Sequence, residues 1–159
     1  MGHTMEHDFP MKFICSPPLI LFCLGIASLS QAMECPLLMV ARHDAPVEQL
    51  TQKEIRRLFL GVAHKTPSGQ LQPIRNTSDH MLQEVFLQKI MFMSKNTYHR
   101  ALANHLVRKR KAGPTKYPDI DKLIKALQDN SKLISYIWKT NLPADGTLKI
   151  LLSIPCKNN

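Results

Sequence analysis

A short helix with both of its ends specified lies early in the chain, and it limits the folds that the chain can adopt. Thr51 is placed to cap the first turn, and Glu54 three residues later completes a capping box. Leu50 and Ile55 have the spacing of a hydrophobic staple across that cap. Gly61 then supplies the left-handed residue that commonly ends a helix.

The apolar face of this helix and the segments on either side of it predict an α/β fold. Ile55, Leu58 and Phe59 share one helical face, which has to pack against other structure. Residues 37–41 upstream and 71–75 downstream have the length and composition of short strands. Strand, helix and strand in this order are typical of a domain in which helices cover a sheet.

The rest of the chain predicts three more helices and two more strands. Capping residues followed by helical apolar spacing place the helix starts at Ser78-Asp79, Ser94 and Asp119. The first of these helices continues to Met93. The branched runs 133–138 and 148–154 flank a Pro-Ala-Asp-Gly turn, which predicts an adjacent pair of strands. The sum is a single three-layer α/β lobe with a mixed β-sheet flanked by helices.

Residues 1–32 are predicted to be an N-terminal extension and a cleavable signal peptide. Lys12 precedes an uncharged run from Phe13 to Leu29, and Ser30-Gln31-Ala32 fits a small-x-small cleavage site. A membrane anchor is the weaker alternative, because Pro17-Pro18 interrupts a run that is near the lower length limit for a span. Residues 33–159 would then form one periplasmic or secreted domain, without a transmembrane anchor after cleavage.

Export of the chain bears on its cysteines, because disulfides persist in oxidising compartments. Cys15 and Cys23 leave with the signal peptide, so that Cys35 and Cys156 remain near the two ends of the domain. An isolated pair so placed predicts a disulfide, which contributes about 4 kcal/mol in the chain-entropy model. Two free thiols are the weaker alternative. A metal site is not expected, because no histidine or third cysteine has ligand spacing.

The charge of the chain favours anionic partners. The formal net charge is +9, from 21 Lys and Arg against 12 Asp and Glu. This surplus attracts small oxyanions, lipid headgroups or nucleic acid without choosing among them. A basic tetrad, Arg108 to Lys111, ends the third predicted helix, where cations also favour the helix dipole. Nucleic acid is the least favoured partner, because no nucleic-acid-binding motif accompanies the tetrad and export removes the usual targets.

Several separated strings resemble type II periplasmic binding proteins of the phosphate ABC transporter substrate-binding family. The helix of residues 50–61 and the following Pro73-Ile74-Arg75 are similar to that family's Leu-Ser/Thr-x-x-Glu-Leu-x-x-Ile-Phe-x-Gly helix and Pro-Val-x-Arg strand. Residues 132–137 are similar to its Ala-Ile-Gly-Tyr-Val strand, with Ser135 in place of Gly. The resemblance covers residues 36–153 and implies a short, single-lobe form of such a protein.

The resemblance implies an oxyanion site where the strand that ends in arginine leads into a helix. Arg75 matches the arginine of the family, and Thr77 and Ser78 fall near the hydroxyls of its Ser-Gly-Thr turn. The glycine of that turn is absent here, and Asp79 places a negative charge at the proposed cradle. An ordinary strand-end arginine and a plain helix N-cap are the alternative interpretations of these residues.

The function implied is non-enzymatic and needs no cofactor. We expect a module that binds phosphate or another small oxyanion weakly, or one that assists transport with an envelope protein or a transporter as partner. The alternative is a basic envelope interaction protein that kept the fold and lost small-anion binding. Catalysis is not expected, because no nucleophile motif or metal motif includes the candidate bases His43, His64, His80, His99 and His105.

Overall fold

The structure is a computed structural model that describes residues 36–67, 69–109 and 112–155. The predicted signal peptide lies outside the described residues, and so do Cys35 and Cys156, the two cysteines of the predicted disulfide. The second half of the basic tetrad, Arg110 and Lys111, also lies outside them. These predictions stay predictions.

The described residues form helices and short strands in an alternating order. In chain order they are β1 (Leu37–Arg42), α1 (Gln52–Phe59), β2 (Lys65–Thr66), β3 (Gly69–Gln70), β4 (Gln72–Pro73), β5 (Arg75–Asn76), α2 (His80–Phe86), a π turn (Leu87–Met91), α3 (Lys95–Lys109), β6 (Lys116–Tyr117), α4 (Ile120–Asp129), β7 (Leu133–Trp138), a 3-10 turn (Lys139–Asn141) and β8 (Leu148–Ile154).

A mixed four-stranded sheet forms the middle layer, in the order β4-β7-β1-β8. β1 is antiparallel to both β7 and β8, and β4 is parallel to β7. Two smaller pairs accompany this sheet, an antiparallel pair of β2 with β3 and a parallel pair of β5 with β6. The mixed α/β lobe predicted from the sequence is therefore confirmed.

The prediction that β7 and β8 are adjacent is wrong, because β1 lies between them. The connection of residues 139–147 contains a 3-10 turn as well as the Pro-Ala-Asp-Gly turn, so it is longer than a tight hairpin loop. β1 is buried from Leu37 to Ala41, and such a strand fits the centre of a sheet better than an edge. Both of its edges are paired there.

Helices cover both faces of the sheet and make the three layers. Leu37, Met39 and Ala41 of β1 belong to one core cluster together with buried residues of α1, α2 and α3. Leu38 and Val40 belong to a second cluster together with buried residues of α4. The alternation of side chains along one strand thus supplies both cores.

α1 has the ends and the buried face that the sequence predicts. Glu54 Oε2 accepts a hydrogen bond from the backbone N–H of Thr51 (2.8 Å), and Thr51 Oγ1 accepts one from the N–H of Glu54 (3.3 Å). Gly61 follows the helix with a φ of 87°. The predicted apolar face, Ile55, Leu58 and Phe59, is buried.

α3 is attached to the C-terminal end of α1 by two hydrogen bonds. The Tyr98 hydroxyl donates to the carbonyl of Phe59 (3.0 Å), and His105 Nε2 donates to the carbonyl of Gly61 (3.2 Å). A Cβ atom at Gly61 would lie 3.0 Å from the His105 ring, so the close approach needs glycine. His105, one of the candidate bases, is partly buried in this helix contact.

The second predicted helix is shorter than expected. Regular α-helix ends at Phe86, and a π turn follows in which Leu87, Ile90 and Met91 are buried. The wider turn keeps these three apolar residues against the core. Phe92 ends it in the left-handed region with a φ of 54°, and its side chain is 62% exposed.

The single strand predicted over residues 71–75 is two strands that pair with different partners. The N–H of Ile74 donates to the carbonyl of Ile134 in β7 (2.9 Å), whereas the N–H of Arg75 donates to the carbonyl of Thr115, next to β6 (2.8 Å). Pro73 has no N–H to extend the ladder. The change of partner after Ile74 carries Arg75 away from the main sheet.

The packing of α1 gives a test of the fold. The Phe59 ring lies 4.9 Å from the ring of Phe86 and 5.8 Å from that of Tyr136, whereas Arg57 is exposed. We expect Phe59→Asp to lower the free energy of unfolding by about 3–5 kcal/mol or more, because it leaves a buried charge unpaired. Arg57→Ala, the control on the same helix, changes it by less than about 0.5 kcal/mol. Urea unfolding followed by circular dichroism measures both, and equal midpoints would contradict this packing.

Candidate functional site

Arg75, the predicted anion-binding arginine, is buried at the start of β5, with 5% of its surface exposed. Its Nε atom is buried and has no hydrogen-bond partner. The ion pairs found among the described residues use Arg42, His80, Lys122 and Lys149 as cations, and none includes Arg75. A buried guanidinium without a carboxylate partner is unfavourable unless another group compensates it.

The face of the Arg75 guanidinium packs on an aromatic ring of α3. The guanidinium carbon lies 5.0 Å from the ring centroid of Tyr98, which is a cation–π distance. The ring is held in place because the Tyr98 hydroxyl donates to the carbonyl of Phe59. Burial raises the pKa of Tyr98 to about 12, and the nearby charge of Arg75 partly opposes that rise. The hydroxyl therefore stays protonated near neutral pH.

A second tyrosine fixes the strand that carries Arg75. The Tyr136 hydroxyl donates to the carbonyl of Asn76 (2.9 Å), and Asn76 Nδ2 donates to the carbonyl of Tyr136 (3.1 Å). The Tyr136 ring stacks on Phe86 with centroids 3.9 Å apart. Burial raises the pKa of Tyr136, again with Arg75 as an opposing influence. β5 is thus attached to β7 by the side chains of Asn76 and Tyr136.

The two predicted hydroxyl residues follow Arg75 closely but take different positions. The N–H of Thr77 donates to the carbonyl of Tyr117 (2.8 Å), and its side chain is partly exposed. Ser78 is exposed, and both its N–H (3.0 Å) and its hydroxyl (2.7 Å) donate to Asn76 Oδ1. The Ser78 hydroxyl is therefore already engaged, whereas no hydrogen bond from the Thr77 hydroxyl to a described residue is found.

Asp79, rather than Ser78, is the N-cap of α2. Its Oδ1 accepts from the N–H of Leu82 (3.1 Å), and its Oδ2 accepts from Trp138 Nε1 (2.8 Å). The hydrogen bond from Trp138 is the main cause that lowers the pKa of Asp79, with the N–H of Leu82 also contributing. A carboxylate of the chain itself therefore caps the first turn of α2.

A cleft of about 580 Å³ lies near the site but does not include Arg75. Its lining is about as polar as it is apolar and comes mainly from α1, α3, β4, β7 and the segment before β6, including Leu58, Leu106, Gln72 and Thr115. Among the described residues there is no cluster of three or more His, Cys, Asp or Glu that would hold a metal ion. In the same part of the chain, no helix has the length and apolar character needed to cross a bilayer.

Solved structures with a similar fold include proteins of phosphate transport. An ABC-type phosphate transport receptor from Vibrio cholerae matches with a TM-score of 0.55 and 11% identity, over 74% of this chain and 46% of that one. A putative phosphate ABC transporter substrate-binding protein with bound phosphate from Clostridium perfringens matches with a TM-score of 0.57 and 13% identity, over 74% and 44%. PstS from Borrelia burgdorferi matches with a TM-score of 0.52 and 11% identity, over 74% of this chain and 47% of that one.

The fold is periplasmic-binding-protein-like. No model of a protein family matches the sequence, and no curated protein matches it either. The chain spans less than half the length of the solved structures that it resembles, and at these identities the likeness shows the fold alone. The resemblance noted in the sequence is thus confirmed for the fold.

Two groups of this periplasmic-binding-protein-like lobe were missed in the sequence, although they lie close to Arg75. Tyr98 supplies the ring under the guanidinium, and Lys116 is the register partner of Arg75 in the parallel β5–β6 pair. Both are more than twenty positions from Arg75 in the chain, so spacing gave no direct signal. One signal was present: residues 85–118 contain no Asp or Glu.

The cap of α2 gives a pH-dependent prediction. Asp79→Ala should lower the free energy of unfolding at pH 7 by about 1 kcal/mol, because an N-cap acceptor is lost. Since the folded pKa of Asp79 is lowered, the stability that its charge contributes is present at neutral pH and is lost as pH falls below about 4. Asp79→Asn, the matched control, keeps one of the two acceptor oxygens and loses this pH dependence.

Urea unfolding at pH 7 and pH 3 measures the effect, with fluorescence of Trp138 as the signal because it is the only tryptophan. The role of the Asp79 charge would be contradicted if the free energy of unfolding changed equally between the two pH values in the wild type and in Asp79→Asn.

Proposed function

We propose that this lobe is a non-enzymatic binding module that takes phosphate or another small oxyanion at Arg75. We further propose that it acts in the periplasm or outside the cell, with an envelope protein or a transporter as partner. The three similar structures support the proposed anion binding. They are a phosphate transport receptor, a substrate-binding protein with bound phosphate, and PstS. All are binding proteins rather than enzymes.

The observation that carries the proposal is the buried guanidinium of Arg75, whose Nε has no hydrogen-bond partner and which forms no ion pair with a described residue. Nothing among the described residues neutralises it, while Tyr98 and Tyr136 hold its surroundings rigid. A bound oxyanion would supply the missing negative charge through short, charge-assisted hydrogen bonds. A guanidinium suits this task because it offers several donors in one plane.

Thr77 and Ser78 have unequal roles in this proposal. The Thr77 hydroxyl is partly exposed and is free to donate to an anion held by Arg75. The Ser78 hydroxyl donates to Asn76 Oδ1, so it reaches an anion only by giving up that bond. We assign Thr77 a direct contact and Ser78 mainly the support of the turn.

Calorimetric titration with phosphate, sulfate and citrate tests the anion site. We expect a phosphate affinity in the millimolar range or tighter for the wild type, and a loss of at least about tenfold in Arg75→Gln, because the main cation is removed. Arg57→Gln, at an exposed arginine of α1, is the matched control and should bind like the wild type. Absence of any response in the wild type would overturn the proposal.

Stability of the unliganded protein gives a second readout of the same site. In Arg75→Met a chain of similar length replaces an unpaired buried cation, so we expect its melting temperature without phosphate to be no lower than that of the wild type. Added phosphate should raise the melting temperature of the wild type only, since a ligand stabilises the state that binds it. An equal rise in both proteins would place phosphate elsewhere.

The second candidate function is that of a basic envelope interaction protein, and it depends on the tetrad Arg108 to Lys111. Arg108 is exposed at the end of α3, as a docking residue has to be. A solvated helix end has the same exposure, and we favour that interpretation because a run of charges is usually a solvated face.

Replacing all four residues of the tetrad by Gln separates the two functions. We expect an unchanged melting temperature, unchanged phosphate binding and unchanged recovery of envelope proteins in a pull-down. If instead the folded variant loses partners that the wild type captures in a salt-sensitive way, the tetrad is a docking surface. That result would favour the interaction protein over the anion-binding module.

A further inference from the structure

Arg75 is one of four neighbouring basic side chains that come from three elements. In the parallel β5–β6 pair, Arg75 and Lys116 occupy directly opposed positions. Like charges in that arrangement repel each other and destabilise a sheet unless an anion lies between them. Lys116 is exposed, whereas Arg75 is buried, so the pair extends from the surface into the interior.

The start of α3 brings two more basic side chains to the same place. The Tyr98 ring, which packs on the Arg75 guanidinium, lies 6.0 Å from the ring of His99. Burial lowers the pKa of His99, and the charges of Arg75, Lys116 and Lys95 lower it further. Lys95 lies four residues before His99 on α3, so the two side chains share a helical face. We name Arg75, Lys95, His99 and Lys116 the cationic cluster.

No acidic side chain compensates the cationic cluster among the described residues. Residues 85–118, which supply three of its four members, contain no Asp or Glu. No carboxylate contributes to the lowered pKa of His99, and none of the ion pairs found includes a member of the cluster. Arg75, Lys95 and Lys116 are permanent cations, and the β5–β6 register pair and the Tyr98–His99 segment of α3 connect them.

The charge of one orthophosphate is too small for this cluster. A phosphate group carries about −1.5 to −2 at neutral pH, so orthophosphate leaves the three cations with a net positive charge. A second phosphoryl group adds negative charge a few ångströms from the first. Lys95, His99 and Lys116 are exposed and can contact it while Arg75 holds the first group.

We propose that the cationic cluster selects ligands with two adjacent phosphoryl groups over orthophosphate. Arg75 holds the inner phosphoryl group, and Lys116 and Lys95 hold the outer one at the solvent side. The inference rests on the proposed function and specifies its ligand class. Inorganic pyrophosphate and nucleoside diphosphates both contain two adjacent phosphoryl groups. Titration with each of them distinguishes the two ligands.

Calorimetric titration of the purified protein with orthophosphate, pyrophosphate and ADP, at constant ionic strength and without divalent metal, tests the proposal. We expect pyrophosphate to bind at least roughly tenfold more tightly than orthophosphate, because it gains a charge-assisted contact. ADP that binds as tightly as pyrophosphate assigns the site to esterified diphosphates, and ADP that binds much more weakly assigns it to the inorganic anion.

Lys116→Gln shows whether the cluster causes this preference. We expect the variant to lose roughly tenfold in pyrophosphate affinity and less than about threefold in orthophosphate affinity, so that the preference nearly disappears. Lys125→Gln is the control, because Lys125 is exposed on α4, which covers the other face of the sheet. Circular dichroism confirms that both variants fold.

Three outcomes would overturn the inference. Equal affinities of the wild type for pyrophosphate and orthophosphate, both lost in Arg75→Gln, would overturn it and leave the proposed oxyanion site intact. A preference that survives in Lys116→Gln would show that the cationic cluster is not its cause. Absence of binding for all three anions would overturn the proposed function as well.

Discussion

The double burial of β1 is the constraint on which the other elements depend. Its residues from Leu37 to Ala41 are almost free of solvent contact, and successive side chains enter opposite cores. Both faces must therefore be covered by helices, and both edges must be paired. The edge requirement explains why β7 and β8, which are close in sequence, lie on opposite sides of β1.

The same sheet determines where the charged site lies. The chain pairs with β7 through Ile74 and then leaves the sheet to pair with the segment around β6. The residue at that change of partner is Arg75, and Tyr98 from α3 meets it there. Ligands in α/β proteins bind where strands end and their neighbours diverge. The position of Arg75 thus follows from backbone pairing, and its lack of a counter-charge follows from the composition of the segments around it.

The sequence predicted local features well and long-range pairing poorly. The capping box of α1, its buried face and the limits of β1 depend on neighbours a few positions away, so spacing was sufficient. The order of the sheet and the break after Ile74 depend on which distant segments compete for the same strand edge, and spacing does not contain that information. The π turn before Phe92 was missed for a related reason, because burial of three apolar residues outweighed regular helix geometry.

The sequence identified Arg75 as a candidate site residue and showed the negative charge of Asp79 beside it. It revealed neither the burial of Arg75 nor the hydrogen-bond partner of Asp79. Trp138 is 59 positions from Asp79 in the chain, and only the fold brings its indole N–H to the carboxylate. The absence of acidic residues over 85–118 was visible in the sequence. The sequence did not show that this segment lies beside Arg75, because only the fold brings α3 and β6 close to it.

The two hydrogen bonds that attach α3 to the end of α1 connect the length of α1 with the geometry of the proposed anion site. Tyr98 is held by the last residue of α1 and His105 by the glycine beyond it, so α3 takes its position from the point where α1 stops. Arg75 is held instead by β6 and β7. One extra residue in α1 would rotate its end by about 100° and advance it by about 1.5 Å, and the aromatic ring would shift relative to the guanidinium. The geometry of the proposed anion site is therefore set in part by the length of α1.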